Sequence, residues 1–573
     1  MSYEIIDTDV LVVGAGGAGS RAAIAASDSN LEVIVIAKEM LGKAHTVMAE
    51  GGINAALANL DTEDNWDVHG RDTCSSGAYL NNQVLVERLV KEAPDRVFDL
   101  ENFGGLFSRT PDGLIMQRPF GSQTYRRTCY AGDRTGHEVL ATLSDEVRKR
   151  DVRVVEEVFA TSLLLDGKRI AGVTVLDVQT GKFLVYRAKA VVMACGGAGR
   201  VYAVTTNAQV DVGSGYAMGF KAGVELIDME QFQFHPTGAA FPPAARGRLV
   251  TEGVRGEGGI LYNKNGERFM LRYNPKLTDL AGRDEVARSI ATEILEGRGT
   301  EHDAVYLDVS FLPARIIEER LPTMLEDFLD IGIDIRNEPM EVTPTAHHVM
   351  GGLRINNRAE TNVEGLFAAG EVTGGVHGGN RLGGNALADT QVFGKVAGES
   401  AAAYASKTSY PAINRVALEG EYSRVLAPLN RSDGLSPTAE TRKLQKVMWD
   451  NAGIFRNEQG LNAALSFITE EQKRVASGVA AHNKAKRYNN EWISALELQD
   501  MLLVSEMLVR SALLRKESRG AHFRTDFPSS NNNEWFTNIL IKQRDSQMVL
   551  EKVPVVVTKW LPPWMEKQTK EAH

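Results

Sequence analysis

The stretch Asp9–Gly19, "DVLVVGAGGAG", constrains the fold more than any other part of the chain. "DVLVV" is a short apolar run of the kind that forms a buried parallel strand. Gly14, Gly16 and Gly19 follow in GxGxxG spacing, with Ala15, Gly17 and Ala18 between them, and Ser20–Ala26 has a helical texture. "LEVIVIA", Leu31–Ala37, is a second strand. Strand, glycine turn, helix and strand at this spacing make a βαβ unit. The first glycine allows a tight turn, the second lets backbone approach a pyrophosphate, and the third lets helix and strand pack closely. Helix N-terminal amides then hold the phosphates. The second strand ends in Ala37-Lys38, with no acid in place for a ribose 2′-hydroxyl, and Glu39 lies past the strand end. An NAD reading loses weight and FAD stays open.

A chain of 573 residues is too long for one simple core, so two or more domains are expected. Strand-then-glycine patterns return at "AVVMACGGAG", Ala190–Gly199, and at "GLFAAGE", Gly365–Glu371. Their distances predict one nucleotide-binding domain, residues 1–235 and 347–409, interrupted by an inserted α+β capping domain at 236–346. Inside the insertion, Gly258–Met270 reads as a hairpin with Asn265-Gly266 as its turn. Residues 410–530 read as a helical domain. Ser436-Pro437 suits an N-cap and first-turn pair. Leu444, Val447 and Met448, then Leu461, Ala464, Leu465 and Ile468, follow the spacing of half-buried helices. Residues 531–573 read as extended, with "VPVVV", Val553–Val557, as a strand. The predicted class is α/β, a Rossmann-like FAD-binding domain with a cap and a C-terminal helical domain.

Net charge is −10, which argues against a nucleic-acid binder. Cys74, Cys129 and Cys195 are widely spaced and form no CxxC pair, which predicts a cytosolic chain with no zinc or iron–sulfur site of its own. The first residues show no signal-peptide pattern, and no apolar run approaches the ~20 residues of a membrane helix.

Several stretches set polar groups beside glycines: "FHPTG" with His235 and Thr237, "LVTEGVRGEGG" with Thr251, Glu252 and Arg255, "GRDEVARS" with Arg283, "PTAHHVMGG" with His347 and His348, and "HGGNRLGGNAL" with His377 and Arg381. Such residues suit loops where backbone comes close to a ligand. Arginine forks and histidine donors together fit a small dianion. His348 and His377 taken singly read as structural. His347-His348 has the wrong spacing for a metal site on one helical face, and no metal is expected. Glu371 reads equally as a partner for a ribose or ribityl hydroxyl and as a surface acid on a turn.

The set "AHTVMAEGGINAAL", "RPFG", "DRTGH", "FHPTG", "TEGVRGEGG", "PTAHHVMGG", "NRLGGNAL" and "ESRGAHFRTDFP", in that order, resembles the flavoprotein subunit of succinate dehydrogenase and fumarate reductase over nearly the whole chain. The resemblance implies a catalytic subunit interconverting succinate and fumarate by hydride transfer to or from FAD. It places His45 at the family's covalent attachment to the 8α-methyl of FAD, a bond that raises the flavin potential. It implies FAD contacts from Gly14–Gly19, Ala37, Lys38, Thr46, Glu50, Gly51, Gly52, Ser214, Glu371, Ala386 and Leu387. His235 and Thr251 would hold one substrate carboxylate, and His347 and Arg381 the other. Phe120 would pack on the substrate, Arg283 would transfer the proton, and Glu252 and Arg255 would relay protons to it.

Electrons would leave through an iron–sulfur subunit to a quinone. Membrane anchor subunits would hold the chain peripherally on the cytoplasmic side. Two departures stand out: Ser214 where the family carries an acid in "GDG", and Ala386 where it often has serine. L-Aspartate oxidase is the alternative; its members lack a histidine at the position of His45. Glu50 beside the flavin would lower its potential and suit fumarate reduction. A solvated or hydrogen-bonded Glu50 reads at least as well, so the physiological direction stays open.

Overall fold

The computed structural model describes residues 3–571. A seven-stranded sheet runs in the order Arg153–Val155, Val33–Ile36, Glu4–Val13, Phe183–Met193, Arg169–Asp177, Val158–Asp166. Leu366–Ala368 adds to Phe183–Met193. The strands from Arg153–Val155 to Phe183–Met193 pair in parallel, with Val13 beside both Ile36 and Met193. The three strand-then-glycine stretches thus end side by side, and their glycine turns open on one edge. Val10, Leu11 and Val12 are fully buried, as a strand covered on both faces requires.

Helix Gly17–Ser27 follows the first turn and packs against helix Asn385–Ala405. Both contacts depend on missing side chains. A Cβ on Gly19 would sit 1.9 Å from the Gly14 carbonyl oxygen, and one on Gly398 would sit 2.2 Å from that of Ala22. The first is the strand–helix approach expected of the third glycine.

A four-stranded antiparallel sheet joins Phe232–Ala239, Met340–Val349, Val305–Asp308 and Ile260–Tyr262. It has its own core, including Val254, Leu261, Ile290, Leu307 and Phe328. The expected insertion limits, His235 and His347, fall inside the first two of these strands, which pair with each other. The chain therefore enters and leaves the insertion as one two-stranded ribbon. The hairpin expected at Gly258–Met270 does not form. Asn263–Glu267 does turn, with Gly266 at φ +76°, but Ile260–Tyr262 pairs with Val305–Asp308, and a short helix, Met270–Tyr273, follows the turn.

Helices Arg415–Asn430, Pro437–Ala452, Glu458–Gly478 and Asn490–Leu514 follow. Leu444, Met448, Leu461, Ala464 and Ile468 are fully buried, while Val447 and Leu465 lie at the margin. Ser436 occupies the N-cap position without a side-chain cap bond. The tail is extended as expected over two strands and departs from that expectation at its helical ends. Thr537–Arg544 and Gln547–Pro554 form a hairpin, turned by Asp545 and Ser546 at positive φ, and Pro563–Glu571 is helical. Val555–Val557 lies outside the strand, because the ladder ends where Thr537 meets Pro554. The hairpin joins Leu226–Ile227, so the tail closes back on the first half of the chain. Among the described residues no helix is long and apolar enough to cross a membrane.

Candidate active site

One cavity runs from the first glycine turn, Gly14–Ala18, past Ala37 and Lys38 to His45–Thr46 and Glu50–Gly52, and ends among Phe120, His235, Thr251, Glu252, Arg283, His347 and Arg381. Ser214, Glu371, Ala386 and Leu387 also line it. Two predicted site residues do not. Gly19 is spent on helix packing, and Arg255 lies behind Glu252.

The far end is a charge row. Arg255 is fully buried; it donates to the Asp279 carbonyl at 2.6 Å, and its Nη2 lies 3.9 Å from Glu252 Oε1. That same Oε1 accepts the Gly121 N–H at 2.8 Å. Glu252 Oε2 accepts from Arg283 Nε at 2.7 Å, and Arg283 Nη2 lies 2.7 Å from the same oxygen. Burial would raise the Glu252 carboxyl, but Arg283 and Arg255 outweigh it and hold it below the ordinary range. Thr251 caps the short helix Glu252–Gly256 through the Gly253 N–H, which fixes the start of the row.

Gln233, which sequence reasoning passed over, connects this row to Arg381. Its Oε1 accepts from Arg283 Nη1 at 3.3 Å and from Arg381 Nη2 at 3.2 Å, and its Nε2 donates to the Asn380 side chain and the Arg381 carbonyl. Burial, with Arg283 nearby, pushes Arg381 down to about 9. His235 and His347 stand with ring centroids 4.9 Å apart. Burial pushes both well below the ordinary imidazole value, aided by Arg283 for His235 and by each other's proximity for His347. The His235 ring is held at Thr237, and Thr206 Oγ1 lies 2.8 Å from His347 Nδ1. Three buried guanidiniums face one carboxylate here. A small dianion entering this end would supply the missing negative charge.

Phe120 fixes the wall between the two ends. A Cβ on Gly51 would meet its ring at 2.7 Å. Arg118 holds the Glu50-Gly51 carbonyls, and its guanidinium lies over Tyr130. Glu50 is half-buried, with its Oε2 atom out of reach of solvent. Burial, with Asp133 and Asp327 adding to it, raises its carboxyl well above the ordinary value, and Oε2 has no hydrogen-bond partner.

The residues present fit FAD. The glycine turn leaves room for backbone to approach phosphates, and buried polar atoms without partners face the cavity: Ser214 Oγ, Glu50 Oε2 and His348 Nε2. Glu371 is no surface acid. Its Oε1 accepts the Val349 N–H at 3.0 Å, and its Oε2 lies 3.2 Å from His348 Nδ1. His348, read as structural from sequence, lines the cavity, whereas His377 packs behind it in edge contact.

A largely parallel sheet with its glycine turn and a cavity ending in a cationic pocket, beside a second sheet with its own core, define an FAD-binding oxidoreductase. The FAD binding domain model matches residues 9–387, and the fumarate reductase flavoprotein C-terminal model matches 441–570. One chain of the fumarate reductase (CoM/CoB) of Methanothermobacter marburgensis is 50% identical over 95% of this chain and 98% of its own length. The succinate dehydrogenase flavoprotein subunit of Rickettsia bellii is 40% identical over 97% of each chain. The FrdA chain of E. coli quinol fumarate reductase is 35% identical, covers 98% of each chain and superposes with a TM-score of 0.92. The chain belongs to the succinate dehydrogenase and fumarate reductase flavoprotein family.

Proposed function

We propose that this chain is the catalytic flavoprotein subunit of an enzyme that interconverts succinate and fumarate. The observation that carries the reading is the row Arg255, Glu252, Arg283, which meets Gln233 and Arg381 in the pocket at the end of the cavity. His235 and Thr251 bind one carboxylate of the C4 dicarboxylate, and His347 and Arg381 the other. Phe120 packs against the substrate carbons and keeps water from that side. Arg283 holds a proton on its guanidinium and moves it to or from the substrate carbon. An arginine is a weak acid, with a pKa above about 12. Glu252, held ionised between two guanidiniums, receives and returns that proton, and Arg255 resupplies it. Orientation and the preset cationic field carry much of the rate.

FAD, bound along Gly14–Ala18, Ala37, Lys38, Thr46, Glu50–Gly52, Ser214, Glu371, Ala386 and Leu387, supplies the two-electron and hydride chemistry. His45 is the covalent attachment point. Residues 236–346 act as the cap over the pocket, with 1–235 and 347–409 holding the flavin and 410–530 the helical flank.

Electrons pass to an iron–sulfur subunit and on to a quinone, and anchor subunits hold the chain at the cytoplasmic face of a membrane. The quinol of the E. coli relative supports this route. A second reading of the carrier rests on the relative at 50% identity, which is named for CoM/CoB. The test is direct. Purified protein is precipitated in acid and run on a gel, and its fumarate reduction is assayed with a reduced viologen dye. Flavin fluorescence at the subunit mass together with dye oxidation is expected. Flavin at the dye front refutes attachment, and a protein that binds FAD but leaves fumarate untouched refutes the reaction.

A further inference from the structure

His45 opens a single 3-10 turn, His45–Met48, and its ring faces the loop at 206–211. Asn207 Nδ2 donates to His45 Nε2 at 3.2 Å and to the His347 carbonyl at 2.9 Å. Donors face both ring nitrogens, Asn207 at Nε2 and the Ala208 N–H at Nδ1, yet a neutral imidazole offers only one lone pair, so its proton must sit on one of them and needs an acceptor. The Ala208 N–H donates to Nδ1 at 3.2 Å, and the carboxylate oxygen Asp211 Oδ2, 3.6 Å from the same nitrogen, is an acceptor placed to take a proton there.

Asp211 is only 3% exposed, lines the cavity, and its Oδ2 has no hydrogen-bond partner. A buried carboxylate oxygen left unpaired is costly and calls for a use. Burial raises its carboxyl, opposed by His45 and more weakly by Lys38, while Glu371 nearby adds to the rise. The chain thus carries an acid three positions before Ser214, the position where the family's own acid is absent.

We propose that Asp211 is the positioning residue for flavin attachment: it holds the Nδ1 proton of His45, so that Nε2 presents its lone pair to the flavin 8α-methyl carbon. The inference rests on the covalent reading above. A carboxylate oriented on one imidazole nitrogen fixes the tautomer and stabilises the charge that forms as the other nitrogen makes a bond. Attachment forms one N–C bond and breaks one methyl C–H bond and the Nδ1–H bond. The two protons and two electrons released convert one fumarate to succinate, an oxidant the enzyme's own reaction supplies. Once its proton is gone, Nδ1 can only accept, and the Ala208 N–H already stands there. The same nitrogen therefore has one partner for each state.

The experiment compares wild type, Asp211→Asn, Asp211→Ser and Asp211→Glu, expressed alike. Total FAD per chain is read from visible absorbance. Acid precipitation then divides it into pellet and supernatant. Asp211→Asn and Asp211→Ser are expected to hold FAD, with the attached fraction lowered about tenfold or more. Asp211→Glu, which keeps the carboxylate, restores most of the attachment. A purely structural role would lower total FAD and leave the attached fraction of what remains unchanged. The proposal falls if either variant holds FAD attached to the wild-type extent, or if neither holds FAD. Wild type with all its flavin in the supernatant overturns the covalent reading itself, a result distinct from any variant's.

Discussion

Glu252 Oε2 accepts a hydrogen bond from Arg283 Nε at 2.7 Å, and Arg283 Nη2 stands 2.7 Å from the same oxygen as an ion-pair contact. The bond is charge-assisted, and the arrangement aligns the guanidinium with the axis of the row that begins at Arg255. Glu252 sits 2% exposed, so the pair works in a low-dielectric site where such bonds are strong. A binding-only arginine would need no buried acid of its own. The pair instead gives Arg283 a partner that can take and return a proton.

Arg381 offers a planar fork to a carboxylate, with Nε unpartnered and Nη2 held by Gln233. Arg381→Lys replaces the fork with a point charge. Malonate binding, read from the perturbation of the flavin spectrum on titration, should weaken by about tenfold or more, equivalent to at least ~1.4 kcal/mol. Unchanged affinity removes Arg381 from the site.

His235 and His347 are both neutral in the free pocket near neutral pH, since burial holds each well below 6.5. A bound dianion favours their charged forms and raises both values. Dicarboxylate binding should therefore take up protons, and affinity should strengthen as pH falls from 8 to 6. Calorimetry of malonate binding in buffers of different ionisation enthalpy measures that uptake. Zero uptake at pH 7 contradicts the arrangement.

Glu293, fully buried in the insertion, accepts from Arg298, Arg272, Tyr273 and Asn263. Burial would raise its carboxyl, but Arg298, Tyr273 and Asn263 hold it down to about 2, against 4.5 for an ordinary glutamate. The unfolded chain binds this proton more readily. Stability from Glu293 is therefore complete above pH 4.5 and is lost as pH falls through 2. Glu293→Gln should lower Tm at pH 7 and flatten the acid side of the Tm profile, as followed by circular dichroism.

The sequence made some of this legible and hid the rest for physical reasons. GxGxxG was legible because its first and third glycines answer close backbone contacts, as Gly19 does against Gly14. The role of His45 came from the family resemblance, whereas Arg283 and Arg381 stood out because charged groups beside glycines are unusual. Gln233 and Asn207 did not, since neutral amides in a strand and a loop have no signature until Phe232–Ala239 pairs with Met340–Val349 and the cavity closes. Asp211 carries no signature in the sequence for the same reason. The Asn265-Gly266 turn was recognisable, but its strand's true partner lies some forty residues on, a non-local pairing that no turn motif encodes. The tail hairpin owes its place to Leu226–Ile227, more than three hundred residues earlier.

The role of Arg283 is most directly tested by steady-state fumarate reduction in the Arg283→Lys protein, with a reduced viologen dye as donor. Turnover at saturating fumarate should fall by about a hundredfold or more, with KM little changed and flavin content and spectrum normal, because an interaction used only in the transition state is lost. Near-normal saturating turnover with a raised KM would contradict it, reducing Arg283 to a carboxylate anchor.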